Sequence, residues 1–414
     1  MVTANPRLRR GVFASGVLLG LIAEQMVLFA VPLLIFQGTG NVSTLGIAFA
    51  LEWLPGLIAY PFAGLLADRD GGARLFSRVT GGRALILAVV TLICLLAPSV
   101  TTVALVTSGA VLSVLVAPVR MSVEKMVPQL AEGQLLARTQ SLVQNMELLA
   151  MALGPALALL AAATVGKVWL LGVASGVFAL AAAFWVPLPR GLRSPGTGSV
   201  RGTLGELGLG WSLLLHNRPV VLLATLNFSI NLVFATVLSS NAALVTGVFG
   251  APESSFALLN TCVGLSGLLN LLLIPFLLRK FDVQVLGMFG FTLLGGSLVL
   301  LGVAPSFAVY GPAFVLSLAG IAYFNVFNRT QRVKVIPREH LGKVMGPFYL
   351  LNLLSYPIGG LLVGGVGAAF GPQRLVAVLA VLLCTIGTIL LSLTIRSFRR
   401  TFALRESLPL GDPA

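Results

Sequence analysis

A chain of 414 residues that is 57% hydrophobic and only 10% charged lacks the polar residues needed to cover the surface of a soluble domain. Mean hydropathy of +0.99 places it among membrane proteins. The net charge of +14 would suit a nucleic-acid binder, but its distribution along the chain excludes that class.

The basic start "MVTANPRLRR" precedes an apolar run too long for a secretory signal core and without a small-residue cleavage site. It reads as a retained first span. Cutting the chain at clusters of charge, Pro and Gly gives twelve apolar runs. They lie at about 11–36, 43–67, 79–97, 101–122, 139–163, 167–188, 218–246, 254–278, 285–304, 308–328, 343–368 and 372–395. The connections on one side carry Arg7, Arg9, Arg10, Arg69, Arg74, Arg78, Lys125, Arg138, Arg190, Arg193, Arg201, Arg279, Lys280, Arg332, Lys334 and Arg338. The opposite side carries Lys167 and Arg374. Basic connections mark the cytoplasmic face, so both termini are expected inside. The high charge is a topology signal, with some attraction to anionic lipid.

Residues 189–217 are rich in Gly, Pro and Ser and follow the sixth run. This linker composition divides the chain into an N-terminal six-helix bundle (1–188), a cytoplasmic linker (189–217), a C-terminal six-helix bundle (218–395) and a basic cytoplasmic tail (396–414). The halves repeat. "RMSVEKMVP" (120–128) and "RTQRVKVIP" (329–337) share Arg, Lys and Pro at one spacing, each after the fourth span of its half. The fold expected is all-α and integral to the membrane: twelve transmembrane helices in two six-helix pseudo-repeats around a central cavity.

Between the second and third spans the chain reads "GLLADRDGGARLFSR" (64–78). Gly64, Asp68, Arg69 and Gly71 resemble the loop motif of the major facilitator superfamily: Gly, three residues, Asp, a basic residue, any residue, Gly. Gly72 and Ala73 stand where that family usually has basic residues. The resemblance covers nearly the whole chain and implies a transporter rather than an enzyme. It implies that Asp68 closes a cytoplasmic clasp that opens in one transport state. Arg120, at the inner end of the fourth span, either neutralises Glu124 or Glu147 as a gate or anchors the inner interface. "LEWLPGLIAYPFAGLLADR" (51–69) and "VIPREHLGKVMG" (335–346) look like the exporter branch, which includes macrolide efflux proteins and the enterobactin exporter. Gly154 and Pro155 match the antiporter pattern of span five, whereas Ala158 and Leu159 depart from it.

A charged side chain mid-span costs about 2.5–3.5 kcal/mol on insertion scales, so those retained call for a role. Three acids lie within spans: Glu24, Glu52 and Glu147. Glu24, near the middle of its span, is the first candidate for proton coupling, because a carboxylate in a semi-dry cavity can load a proton in competition with substrate. Glu147 and Glu52 are further candidates, and either could bind a cationic substrate group. A structural ion pair or hydrogen-bond network is the alternative for all three. The second half carries amides instead: Asn227, Asn231, Asn325, Asn328 and Asn352. Asn227 and Asn231 share a helix face. These amides either line the substrate cavity or join helices.

The cysteines, Cys94, Cys262 and Cys384, all lie in apolar runs and read as small buried hydrophobes. There is no phosphate-binding loop, no catalytic constellation and no metal-ligand spacing. No cofactor or nucleic acid is expected. The partners expected are a small-molecule substrate, protons and membrane lipid, with the chain acting as a monomer. The function expected is proton-coupled export of an amphipathic small molecule, of siderophore or drug type, across a bacterial inner membrane. Import of a metal chelate or nutrient is the alternative, with a lipid-handling or sensor protein behind it.

Overall fold

A computed structural model describes residues 6–70, 72–130, 134–188, 200–336 and 341–406. Every regular element among them is helical, as a lipid-embedded chain requires, because a helix pairs its own backbone polar groups. The helices are α1 (Pro6–Thr39), α2 (Val42–Asp70), α3 (Ala73–Leu96), α4 (Thr101–Leu130), α5 (Gln134–Val165), α6 (Trp169–Trp185) and α7 (Val200–Leu215). They continue as α8 (Arg218–Ala242), α9 (Glu253–Lys280), α10 (Val283–Val303), α11 (Phe307–Val335), α12 (Leu341–Leu362) and α13 (Pro372–Glu406). Wider turns at Ala243–Val248 and Val363–Gly367 extend α8 and α12.

Among the described residues eleven helices are long and apolar enough to cross a membrane. The sixth predicted run is a shorter apolar helix, α6, of 17 residues. Several helices outrun their apolar stretch: α11 continues to Val335, beyond the predicted end near 328. Residues 200–215 of the predicted linker form α7. Its four glycines give it a linker-like composition, and its six leucines supply the helical periodicity.

The turns are locally encoded. Between α1 and α2, Gly40 takes φ +60° and Asn41 Oδ1 accepts the Ser43 amide at 2.8 Å, capping α2.

The chain packs as two compact units. Unit one comprises residues 1–200, 239–269 and 360–372; unit two comprises 201–238, 270–359 and 373–414. In unit one, Trp185 of α6 anchors a core with Phe13, Val17, Phe76, Met126 and Met146. Its indole stacks on Phe76 with ring centroids 3.8 Å apart and donates to the Phe13 carbonyl at 3.1 Å. A second contact of unit one is made by backbone alone. A Cβ on Gly46 would overlap Gly364 and Gly360, and one on Gly360 would lie 2.7 Å from the Ala50 amide nitrogen. Small residues four apart thus bring α2 against the end of α12, the usual way for membrane helices to approach closely.

Unit two is built on α10 and α11. A Cβ on Gly290 would lie 2.5 Å from the Phe324 nitrogen, and one on Gly320 2.6 Å from the Leu294 nitrogen. Buried Phe324, Phe327 and Phe398 fill the space around that contact.

Candidate functional site

The acids of unit one come first. Glu24 of α1 accepts a charge-assisted hydrogen bond from Arg83 of α3, Nη2 to Oε2 at 3.0 Å. The side chains are 16% and 4% exposed, so the pair is largely removed from solvent. The Arg83 guanidinium also sits 4.3 Å from the centroid of the Phe178 ring of α6. Arg83 escaped the sequence reading, which placed cations in the connections. Its signal was there: a lone arginine inside the third apolar run.

Glu52 of α2 lies over Gly109 of α4, where a Cβ would be 3.7 Å from its Cγ. It interacts electrostatically with Glu24. Among the described residues it has no hydrogen-bond or ion-pair partner. The structure therefore brings Glu24 and Glu52 together, with Arg83 on the Glu24 side. Glu147 is half-buried on α5, beside the core residue Met146. Gly154 of the same helix packs against the Gln25 side chain of α1.

Of the loop motif, Gly64, Asp68 and Arg69 belong to the last turns of α2, where their side chains lie outside the described residues, as does Gly71 altogether. Gly72 is described and accounts for the departure from the family pattern. Its φ is +79°, and a Cβ there would lie 2.9 Å from Met126 Cγ. A long basic side chain is doubly excluded: by the left-handed backbone and by the α4 surface beneath it. Arg120 lies exposed toward the end of α4.

At the Lys167 end of unit one, Lys167 Nζ meets the Glu253 carboxylate and also donates to Gln37 Oε1 at 3.0 Å. Gln37 Nε2 donates to the same Glu253 oxygen at 2.7 Å. This triad joins the end of α1, the α5–α6 turn and the first turn of α9. Sequence reading used Lys167 for topology and passed over Glu253, whose place at a helix start looks like an ordinary N-terminal acid.

In unit two the predicted amides hold one another. Asn328 Nδ2 donates to Asn227 Oδ1 at 2.6 Å, and Asn227 Nδ2 to Asn352 Oδ1 at 2.6 Å. Asn231 Nδ2 reaches the same Asn352 oxygen at 3.3 Å. The network joins α8, α11 and α12. Asn325, half-buried on α11, takes no part in it among the described residues. Arg332, expected in a connection, is instead buried on the extended α11, 4% exposed, with its guanidinium over the Phe348 ring at 4.2 Å. Stacking on an aromatic ring is what lets the helix carry a cation past the end of its apolar run.

The sequence profile of the Major Facilitator Superfamily matches residues 13–359. No curated protein matches the chain by sequence. Among solved structures, a nucleoside transporter, NupG, aligns with a TM-score of 0.73 at 12% identity, covering 95% of this chain and 100% of that one. A bacterial homologue of the human lysosomal transporter Spinster aligns at 0.69 and 15% identity, covering 96% and 98%. A human organic anion transporter aligns at 0.62 and 17% identity, covering 94% and 100%. At these identities the likeness is one of fold, and the profile match over most of the chain supplies the family. The chain belongs to the Major Facilitator Superfamily and is a membrane transporter rather than an enzyme.

Proposed function

We propose that this transporter is a proton-coupled exporter of an amphipathic small molecule, siderophore or drug in type, working by alternating access. It lies in a bacterial inner membrane as a monomer, with twelve spans in two six-helix halves (1–188 and 218–395) and both termini cytoplasmic. Proton coupling rests on one observation: of two carboxylates that repel each other, Glu24 is paired with Arg83 and Glu52 has no ion-pair partner among the described residues. One cation balances one carboxylate. The second needs a proton or a positive group of the substrate to be tolerated in a site this dry. Glu24 holds the arginine and Glu52 does not, so Glu52 carries the exchangeable proton and Glu24 positions the charge beside it. Glu147 is a further candidate for the relay.

Asp68, with Gly64, Arg69 and Gly71, forms the cytoplasmic clasp in this reading, and Arg120 anchors it. Export follows from the resemblance of residues 51–69 and 335–346 to the exporter branch. The similar structures include a nucleoside transporter and an organic anion transporter, which supports a small-molecule cargo without choosing one.

The test is flux in proteoliposomes under an imposed pH gradient, across siderophores and lipophilic drugs. The gradient should drive wild-type flux. Glu52→Gln should abolish the gradient's effect while substrate exchange without a gradient persists. Flux indifferent to the gradient, or coupling intact in both Glu52→Gln and Glu24→Gln, removes the acid pair as the proton site.

A further inference from the structure

Unit two contains a buried charge with nothing negative beside it among the described residues. Arg332 is 4% exposed, as deeply buried as Arg83 by side chain, yet no carboxylate pairs with it among the described residues. Its guanidinium faces Phe348 at 4.2 Å and Tyr349 at 5.5 Å, ring centroids of α12. Nη1 reaches only the Met345 sulfur, a weak acceptor, at 3.7 Å, and Nε has no hydrogen-bond partner. Arg329, on the same helix, adds a repulsive positive charge, and the Tyr349 hydroxyl is the neutral group that interacts with the guanidinium. Nearby in the chain, Asn328 Oδ1 and Gln331 Oε1 are also buried without a partner.

A desolvated guanidinium without a counter-ion is costly to keep, and its planar fork is the side chain best matched to a carboxylate. Phe348 and Met345 hold it in place without neutralising it. Tyr349, 52% exposed, borders it on the open side. Room exists one helical turn away. A cavity of about 690 Å³ is bounded by Val335 and Ile336 of the α11 end and by Val344 of α12, with His216 and Arg218 in its wall and no acidic residue. That volume is in the range of small-molecule sites.

We infer that Arg332 binds the anionic group of the transported substrate, and that the substrate is an amphipathic organic anion: a carboxylate on an apolar body. The assignment rests on the transport reading above for its substrate and on the Arg332 geometry for its chemistry. The carboxylate takes the unpartnered Nε and a terminal nitrogen as a two-point contact. The apolar body lies along Tyr349 and Phe348.

The test uses the purified full chain in detergent, with matched pairs of probes: 3-phenylpropionate against 3-phenylpropionamide, and 4-phenylbutyrate against its amide. The carboxylates should raise the thermal midpoint of the wild type and the amides should not. Arg332→Gln should lose that preference, with apparent affinity for the acids reduced about tenfold or more. Arg332→Lys keeps a charge over Phe348, so it should fold and retain a weaker preference of the same sign. Acids and amides acting alike on the wild type, or a preference that survives Arg332→Gln, overturns the assignment and leaves Arg332 a structural cation–π contact. Stabilisation by phosphatidylglycerol alone, lost in Arg332→Gln, also overturns it, in favour of a lipid headgroup. Flux separates this inference from the one it rests on. Carboxylate binding at Arg332 without flux of labelled probe keeps the anion site and removes its cargo role. Flux of neutral compounds with no preference for acids keeps transport and removes the anion site.

Discussion

Arg83 on α3 and Glu24 on α1 meet nitrogen to oxygen at 3.0 Å, 59 residues apart in the chain and nearly out of reach of solvent. The contact fixes the third helix to the first by charge. It also divides Glu24 and Glu52 into one that is paired and one that is not, among the described residues.

Breaking a buried pair by removing one partner costs about 3–5 kcal/mol, because the survivor stays charged and dry. Glu24→Gln and Arg83→Gln should each lower the thermal midpoint in detergent. The double substitution should be less damaging than the sum of the two. A strictly additive cycle would show that the two side chains do not stabilise each other.

Glu52 gives the contrasting outcome. Glu52→Gln removes a carboxylate with no partner among the described residues and relieves its repulsion by Glu24. Its unfolding free energy should stay within about 1 kcal/mol of wild type or rise. A loss as large as that of Glu24→Gln would reveal a structural partner and weaken its assignment as the proton carrier.

Gly72→Arg restores the residue type that the family favours at this position. Here it should destabilise, by roughly 1–2 kcal/mol for the left-handed backbone alone, with overlap onto Met126 adding to that. Met126→Ala in the same chain should recover the overlap and leave the backbone cost. Thermal midpoints of the wild type and the two variants, with Met126→Ala alone as reference, separate the contributions.

Asn352 accepts from both Asn227 and Asn231 and donates to the Phe348 carbonyl at 2.5 Å. Asn352→Ala should therefore cost about 1–2 kcal/mol, the upper range for interhelical hydrogen bonds in membranes. Asn231→Ala, which loses one long bond, should cost less. Equal effects in unfolding measurements would mean that the network relaxes around either loss.

The Lys167–Glu253 pair is half in solvent, with side chains 47% and 28% exposed. Lys167→Gln should change stability by less than about 1 kcal/mol, and the difference should shrink as salt rises. Midpoints taken at low and high ionic strength check both statements.

The helices were legible in the sequence because the bilayer imposes a length and a polarity that each must satisfy. Their ends were less so. Arg332 falls in an expected connection because the apolar run stops near 328, whereas the ring it packs on, Phe348, belongs to another helix. Arg83 was hidden by a similar assumption, that a basic residue marks a boundary. Its partner comes from a different span, so the pairing is a matter of tertiary packing. The asparagines stand out within apolar spans, but residue type alone could not tell ligand contact from mutual hydrogen bonding. Gly72 is the reverse case. It looked like erosion of a motif, and the backbone angle shows it to be the residue that fits.

The seam between Gly46 and Ala50 on α2 and Gly360 and Gly364 beyond it has one further consequence. Side chains that interlock must be reordered each time two surfaces rejoin, and ordering a long one costs up to about 2 kcal/mol, against nothing for Gly or Ala. A joint made of bare backbone has no rotamers to freeze and none to mis-set. A contact of this kind rejoins with the same fit whenever it is remade, because few side chains need reordering. Were the two helices to separate in a transport cycle, such a surface would rejoin without friction from long side chains.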